Sequence, residues 1–374
     1  MQADVFCRVV DNYGDIGVTW RLVRQLQHEY QWSIRLWVDD LKSFQRLEAR
    51  VDREVSQQTI EHVEIVHWAE PAPDLIPRSV VLSSFSCDLP EAYIARLHQT
   101  PATWINLEYL SAETWVEGCH GLPSLRGDGL SSHFFFPGFN TRTGGLLRER
   151  DLLTRRAAWQ KDLPAQHQML KRLGVSEAAL NALEHTEPNR ARLVSLFCYP
   201  HAPVKQLLEA LSNDSHPSIL LVPEGVAPTL LTDRQGSFNQ VYVERIPFVS
   251  QPEYDQLLWM ADINFVRGED SIVRALWSGK PLIWQIYPQT EGTHLIKLEA
   301  WLKICGLPNK IQDLLRHWNA DTVSTDLSNG LEHALADEAS AQWSSHAQAL
   351  SHALAQETDF AQALHNFCIS KQTP

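Results

Sequence analysis

Apolar residues along this chain fall into short runs that alternate with amphipathic stretches. Val5–Val10 is such a run, and Val18, Leu22 and Leu26 then recur on one helical face. Trp32–Val38, His62–Trp68, Ser79–Ser83 and Thr103–Leu107 read as further short strands, with Pro90–His98 as a helix carrying proline near its first turn. This alternation predicts a parallel sheet covered by helices. A polar, helix-rich stretch from about Leu146 to Asn189 is expected to close the first domain and form a link. Alternation then restarts. Ala191–Phe197, Ser218–Val222, Gln240–Arg245, Asp262–Val266 and Pro281–Gln285 read as strands, and Val204–Leu211 as a helix. Ser250 opens another helix, with Glu253 at the capping-box position, and Ser271–Trp277 forms one closed by Gly279. The remainder is mostly helical. The expected class is α/β, with two Rossmann-like domains facing a cleft. The pattern alone equally allows one extended sheet.

Two strand-to-helix junctions carry the candidate chemistry. The first, Asp11-Asn12-Tyr13-Gly14-Asp15-Ile16-Gly17, follows the opening strand. A glycine-containing loop before a helix offers backbone N–H groups to a ligand. Here the loop also holds two carboxylates, which repel phosphate, so acid/base or cation-orienting work is indicated. Helix capping by Asp11 or Asp15 is the plainer alternative. The second junction is Arg267-Gly268-Glu269-Asp270-Ser271. Arg267 suits a phosphate, Gly268 allows close backbone approach, and Ser271 with its neighbouring N–H groups can take further oxygens. Glu269 and Asp270 can accept from ligand hydroxyls. The competing reading is a capped helix with Arg267 paired to Glu269. Phe197 and Tyr199, and Phe248 after another strand, lie beside strand ends where α/β sheets bind ligands. Such rings either flank a pyrimidine or simply pack in the core.

Several classes drop out. The chain has no GxGxxG after its first strand, and no GxxxxGK[ST], HExxH or GxSxG. Its sixteen histidines show no metal-ligand spacing, so no metal and no cofactor are expected. The 374 residues exceed one ordinary core, and 44% hydrophobic with 21% charged residues is a globular composition. A net charge of -13 argues against binding nucleic acid or an anionic membrane. No apolar run approaches the ~20 residues that span a bilayer. The opening MQADVFCRVV lacks the pattern of a signal peptide. Six scattered cysteines without a CxxC pair read as reduced thiols, so the expected location is the cytoplasm.

Taken together, the segments FCRVVDNYGDIGVTWR (6–21), CDLPE (87–91), NLEYLSAE (106–113), GGLLRERD (144–151), IPFV (246–249), RGEDS (267–271) and IYPQ (286–289) resemble the protein-arginine rhamnosyltransferase family that modifies bacterial translation elongation factor P. The resemblance runs in order through nearly the whole chain. It implies a GT-B glycosyltransferase with an acceptor-side domain at 1–165, joined by a C-terminal helix at about 352–374, and a donor domain at 185–350. It implies inverting transfer from dTDP-β-L-rhamnose to one arginine of elongation factor P, activating that factor. It further implies Asp15 as general base, Asp11 as its partner and Glu269 as a second essential carboxylate. The donor contacts would be Asn12, Tyr13, Gly14, Gly17, Phe197, Tyr199, Phe248, Gln251, Arg267, Gly268, Asp270 and Ser271. Two other readings remain open at this point: a GT-B transferase acting on a cell-envelope glycan or lipid, and a non-catalytic nucleotide-sugar binding protein.

Overall fold

The structure, a computed structural model, describes residues 1–11, 13–186, 189–228, 240–289, 292–322 and 324–372. It divides into two compact units, Met1–Arg150 with Leu354–Pro374, and Asp151–Ala353.

The first unit opens with β1 (Gln2–Cys7), α1 (Gly14–Tyr30), β2 (Ser33–Val38), α2 (Leu41–Leu47), β3 (Gln57–Ile60) and β4 (Val63–His67). It continues with β5 (Val80–Ser84), α3 (Glu91–Leu97), β6 (Thr103–Leu107), α4 (Thr114–Cys119), β7 (Pro123–Leu125) and β8 (Ser131–Phe135). Among the described residues these strands form a sheet in the order β3-β4-β2-β1-β5-β6-β8-β7. Only β3 and β7 run antiparallel to their neighbours. The order reverses between β1 and β5, which are paired parallel. Such a switch point opens a crevice beyond the C-terminal strand ends.

The opening strand is shorter than its apolar run. Val9 and Val10 leave the sheet because their N–H groups are taken elsewhere, by Asp39 Oδ1 at 2.9 Å and Asp15 Oδ2 at 2.8 Å. Beneath the sheet's switch point, Asp4 is fully buried. Arg35 grips it through both oxygens at 2.5 and 2.9 Å, and Trp37 Nε1, Tyr93 Oη and the Arg78 N–H also donate to it.

The second unit holds α5 (Leu152–Trp159), α6 (Leu163–Arg172), α7 (Glu177–Glu184), β9 (Arg192–Leu196), α8 (Val204–Asn213), β10 (Ser218–Pro223), β11 (Val241–Ile246) and α9 (Gln251–Met260). It continues with β12 (Ile263–Arg267), α10 (Gly268–Ser278), β13 (Leu282–Gln285), α11 (Thr293–Cys305), α12 (Asn309–Trp318), α13 (Thr325–Leu335) and α14 (Asp337–Ala355), whose last two residues already belong to the first unit. The stretch read as a link thus contains three helices. Met169, Leu170, Leu180 and Ala182 from α6 and α7 share a core with Leu193 and Ile219 of the sheet. The strand order is β11-β10-β9-β12-β13, with every pairing parallel. Its switch point lies between β9 and β12. A buried Arg274–Asp255 pair, joined at 3.0 and 2.6 Å, ties α10 to α9.

The chain ends in α15 (Phe360–Gln372), which belongs to the first unit. Phe360, Ala361, Leu364 and Cys368 complete that unit's core, and Trp32 Nε1 bonds His365 Nδ1 at 3.0 Å. Gly145, at φ +75°, passes so close to Thr358 that a Cβ would lie 2.2 Å from its carbonyl oxygen. All six cysteines are unbridged. Among the described residues no helix is long and apolar enough to cross a membrane.

Candidate active site

In the first unit, the loop after β1 is tied down by Asp15. Its carboxylate does not cap α1, because it reaches back across the loop. Oδ2 accepts the N–H groups of Val10 at 2.8 Å and Asp11 at 2.9 Å. Tyr13 occupies the N-cap position of the helix without a capping bond from its own side chain, and the Gly17 N–H bonds its carbonyl. One turn on, Thr19 donates to the Asp15 carbonyl at 2.8 Å and approaches Ser84 Oγ at 3.1 Å, linking the loop after β1 to the end of β5.

Asp15 is 4% exposed. Burial raises its pKa above the ordinary carboxylate value, and the charges of Asp11 and Asp39 add to the rise. The two N–H bonds oppose it without cancelling it. This is the environment of a carboxylate with enhanced proton affinity. Asp11 stands over Gly14: a Cβ on that glycine would lie 2.9 Å from Asp11 Oδ2, so the approach needs a residue without one. The Gly14 N–H bonds the Asp11 carbonyl at 2.6 Å. Tyr13 meets Arg46 through its hydroxyl at 3.3 Å. Asn12 lies outside the described residues.

The second unit gathers its candidates at its own switch point. Arg267 ends β12 as the N-cap residue of α10, and α10 begins at Gly268, three residues before the start predicted from sequence. The reason is Gly268, which at φ +67° turns the chain directly into the helix. Trp284 Nε1 fixes its carbonyl at 2.8 Å. Glu269, Asp270 and Ser271 therefore occupy the first helical turn, where the helix dipole favours negative charge. The Arg267 guanidinium lies against Phe197 and Tyr199, 4.4 and 4.7 Å from their ring centroids, and Nη1 donates to the Cys198 carbonyl at 3.1 Å. Those two rings, read from sequence as either flanking a pyrimidine or packing in the core, lie against the Arg267 guanidinium. Gln251 is buried at the start of α9, after Phe248.

Sequence reasoning passed over Gln285. It ends the apolar strand β13, in register with Arg267, and its Oε1 accepts the Tyr199 N–H at 2.7 Å. Its Nε2 is buried with no partner among the described residues. A polar residue closing an otherwise apolar strand at this edge was the available signal.

Both junctions thus lie at the reversal points of parallel sheets, one carrying carboxylates and the other a ring-backed arginine at a helix start. The family profile described as "Elongation-Factor P (EF-P) rhamnosyltransferase EarP" matches residues 3–369. The chain belongs to the EarP family. A protein-arginine rhamnosyltransferase of Pseudomonas aeruginosa is 45% identical over 350 residues, covering 89% of this chain and 90% of that one. One from Shewanella oneidensis is 40% identical, covering 84% and 83%. The solved structure "Structural basis for EarP-mediated arginine glycosylation of translation elongation factor EF-P" matches with 31% identity and a TM-score of 0.65, covering 99% of each chain. HepE of Anabaena, solved in complex with UDP and glucose, shares the fold alone at 12% identity, a TM-score of 0.53 and full coverage of both chains. This EarP-family chain is accordingly a GT-B glycosyltransferase of the protein-arginine rhamnosyltransferase class. The envelope-glycan and non-catalytic readings fall away.

Proposed function

We propose that this EarP-family enzyme transfers L-rhamnose from dTDP-β-L-rhamnose to a single arginine of elongation factor P in the cytoplasm, with inversion at the anomeric carbon. The observation that carries this reading is Asp15, a buried carboxylate with raised proton affinity beside Asp11. An arginine acceptor needs such a group. Guanidinium has a pKa above ~12 and its lone pairs are delocalised, so it is a weak nucleophile. Asp11 orients the guanidinium, and Asp15 takes a proton from one terminal nitrogen as that nitrogen attacks the anomeric carbon. The C–N bond forms on the face opposite the leaving group. The anomeric C–O bond breaks, and its electron pair leaves on the terminal phosphate of dTDP. The second unit holds the donor: Arg267 and the N–H groups opening α10 meet the diphosphate, where charge grows as the bond breaks. Glu269 and Asp270 accept from the sugar hydroxyls, Ser271 donates to the phosphates, and Tyr199, Phe248 and Gln251 hold the nucleotide.

The test is intact-mass spectrometry of purified elongation factor P incubated with this protein and dTDP-rhamnose. A single added deoxyhexose on one arginine is expected, with the α-anomeric configuration by NMR. An unmodified factor, or equal use of another nucleotide sugar, refutes the assignment.

A further inference from the structure

Beside Asp15 the first unit carries a strained aromatic shelf that the roles above do not use. Phe85 and Ser86, directly after β5, both adopt left-handed backbone, at φ +56° and +52°. Side chains rarely sit there, and two in succession require surrounding structure to hold them. That structure is visible. The Phe85 N–H bonds the Leu107 carbonyl at 2.6 Å, Ser86 Oγ donates to Glu108 at 2.7 Å, and Cys87 reaches the Phe6 carbonyl at 3.5 Å. The outcome is that the Phe85 ring stacks on Tyr109, with centroids 4.7 Å apart and planes 30° apart. Tyr109 remains 39% exposed.

The position of this pair is fixed by topology. β1, β5 and β6 are adjacent parallel strands, so the segments that follow them, which carry Asp15, Phe85 and Tyr109, lie at the same C-terminal end of the sheet. Ser84, which precedes Phe85, contacts Thr19 on the turn that carries Asp15. Strain held in place beside a buried carboxylate points to a ligand-facing task.

We propose that Tyr109, backed by Phe85, is the surface on which the acceptor arginine lies. This rests on the arginine-transfer reading given above. A planar cation stacks favourably on an aromatic face, and the acidic group formed by Asp11, Asp15 and Asp39 draws the same cation to this edge. Stacking fixes the guanidinium plane, so that one terminal nitrogen is presented to Asp15 and the others stay delocalised. Tyr109 is a positioning residue that takes no part in proton transfer. The ring, not the hydroxyl, does the work.

Tyr109→Leu, Tyr109→Phe and Phe85→Leu are compared with wild type in steady-state rhamnosylation of elongation factor P and in calorimetric titration with dTDP. Tyr109→Leu should raise KM for the protein acceptor roughly three- to thirtyfold, the range of one stacked cation, with dTDP affinity unchanged. Phe85→Leu should give a smaller rise of the same kind, and Tyr109→Phe should behave as wild type. An unchanged acceptor KM in Tyr109→Leu overturns the proposal. So does a Tyr109→Phe as impaired as Tyr109→Leu, or a loss of dTDP affinity, which would assign the shelf to the nucleotide. Failure of the wild type to modify the factor would instead overturn the arginine-transfer reading beneath it.

Discussion

Asp15→Asn separates the chemistry of this carboxylate from its structural duty. In the fold, one Asp15 oxygen accepts two backbone N–H groups. The amide oxygen of Asn can accept the same pair. Exchanging a charged for a neutral acceptor weakens two bonds, by about 1 kcal/mol each. Against this, the raised pKa of Asp15 shows that burial and nearby charge already disfavour its ionised form more than those bonds favour it. Removing the charge relieves that penalty, so Asp15→Asn should melt at or above the wild-type temperature. Asp15→Ala strands both N–H groups and should lose about 1–3 kcal/mol. Transfer should behave in the opposite sense. An amide cannot take the proton, so kcat should fall ~10²–10⁴-fold in Asp15→Asn. Affinity for dTDP should not change, because the proposed donor site lies in the other unit. The assays are thermal unfolding, dTDP calorimetry and intact-mass kinetics on elongation factor P. Transfer by Asp15→Asn within threefold of wild type refutes the general-base role. Loss of dTDP binding moves Asp15 into the donor site.

Arg267→Ala should weaken dTDP binding by about one to two orders of magnitude, the worth of one charge-assisted contact, as read by calorimetry. Gln285→Glu keeps the acceptor for the Tyr199 N–H while replacing the leftover amide donor with negative charge; dTDP affinity should fall at least tenfold if that donor faces the nucleotide, and an unchanged titration assigns Gln285 a purely structural part. Because Asp15 holds its proton more tightly in the fold than in the unfolded chain, its contribution favours the fold at low pH and is lost as pH rises through the folded pKa. The proposed general base must be ionised to take a proton, so the acid limb of the kcat–pH profile should lie above the ordinary aspartate range. Asp4→Ala removes the partner of buried Arg35 and should cost about 3–5 kcal/mol in denaturant unfolding.

Much of this architecture was legible because parallel strands buried on both faces read as apolar runs and their helices as 3.6-residue stripes. Strand ends were less so. Val9 and Val10 look like strand residues, yet Asp39 and Asp15 capture their N–H groups, and no local pattern encodes partners 30 and 5 residues away. Gly268 could be seen, but its left-handed turn, which starts α10 early, could not. The two junction loops were visible as carboxylate and arginine clusters after strands. That Phe197 and Tyr199 would embrace Arg267 follows from the adjacency of β9 and β12, which only the sheet order reveals. The three helices at 152–184 were read as a link because their apolar positions are sparse; their partners lie on β9 and β10.

The return of α15 to the first unit has a consequence for biosynthesis. The chain leaves this unit at Arg150 and rejoins it at Leu354, and Phe360, Leu364 and Cys368 fill its interior. On the ribosome, the strands around Asp15 emerge early and must wait, their core open, for some two hundred residues of the other unit. The segment Asp151–Ala353 is contiguous and can fold as soon as it is out. The unit translated first is therefore finished last, and a nascent chain stalled before residue 360 would display a complete second unit and an unfinished first one.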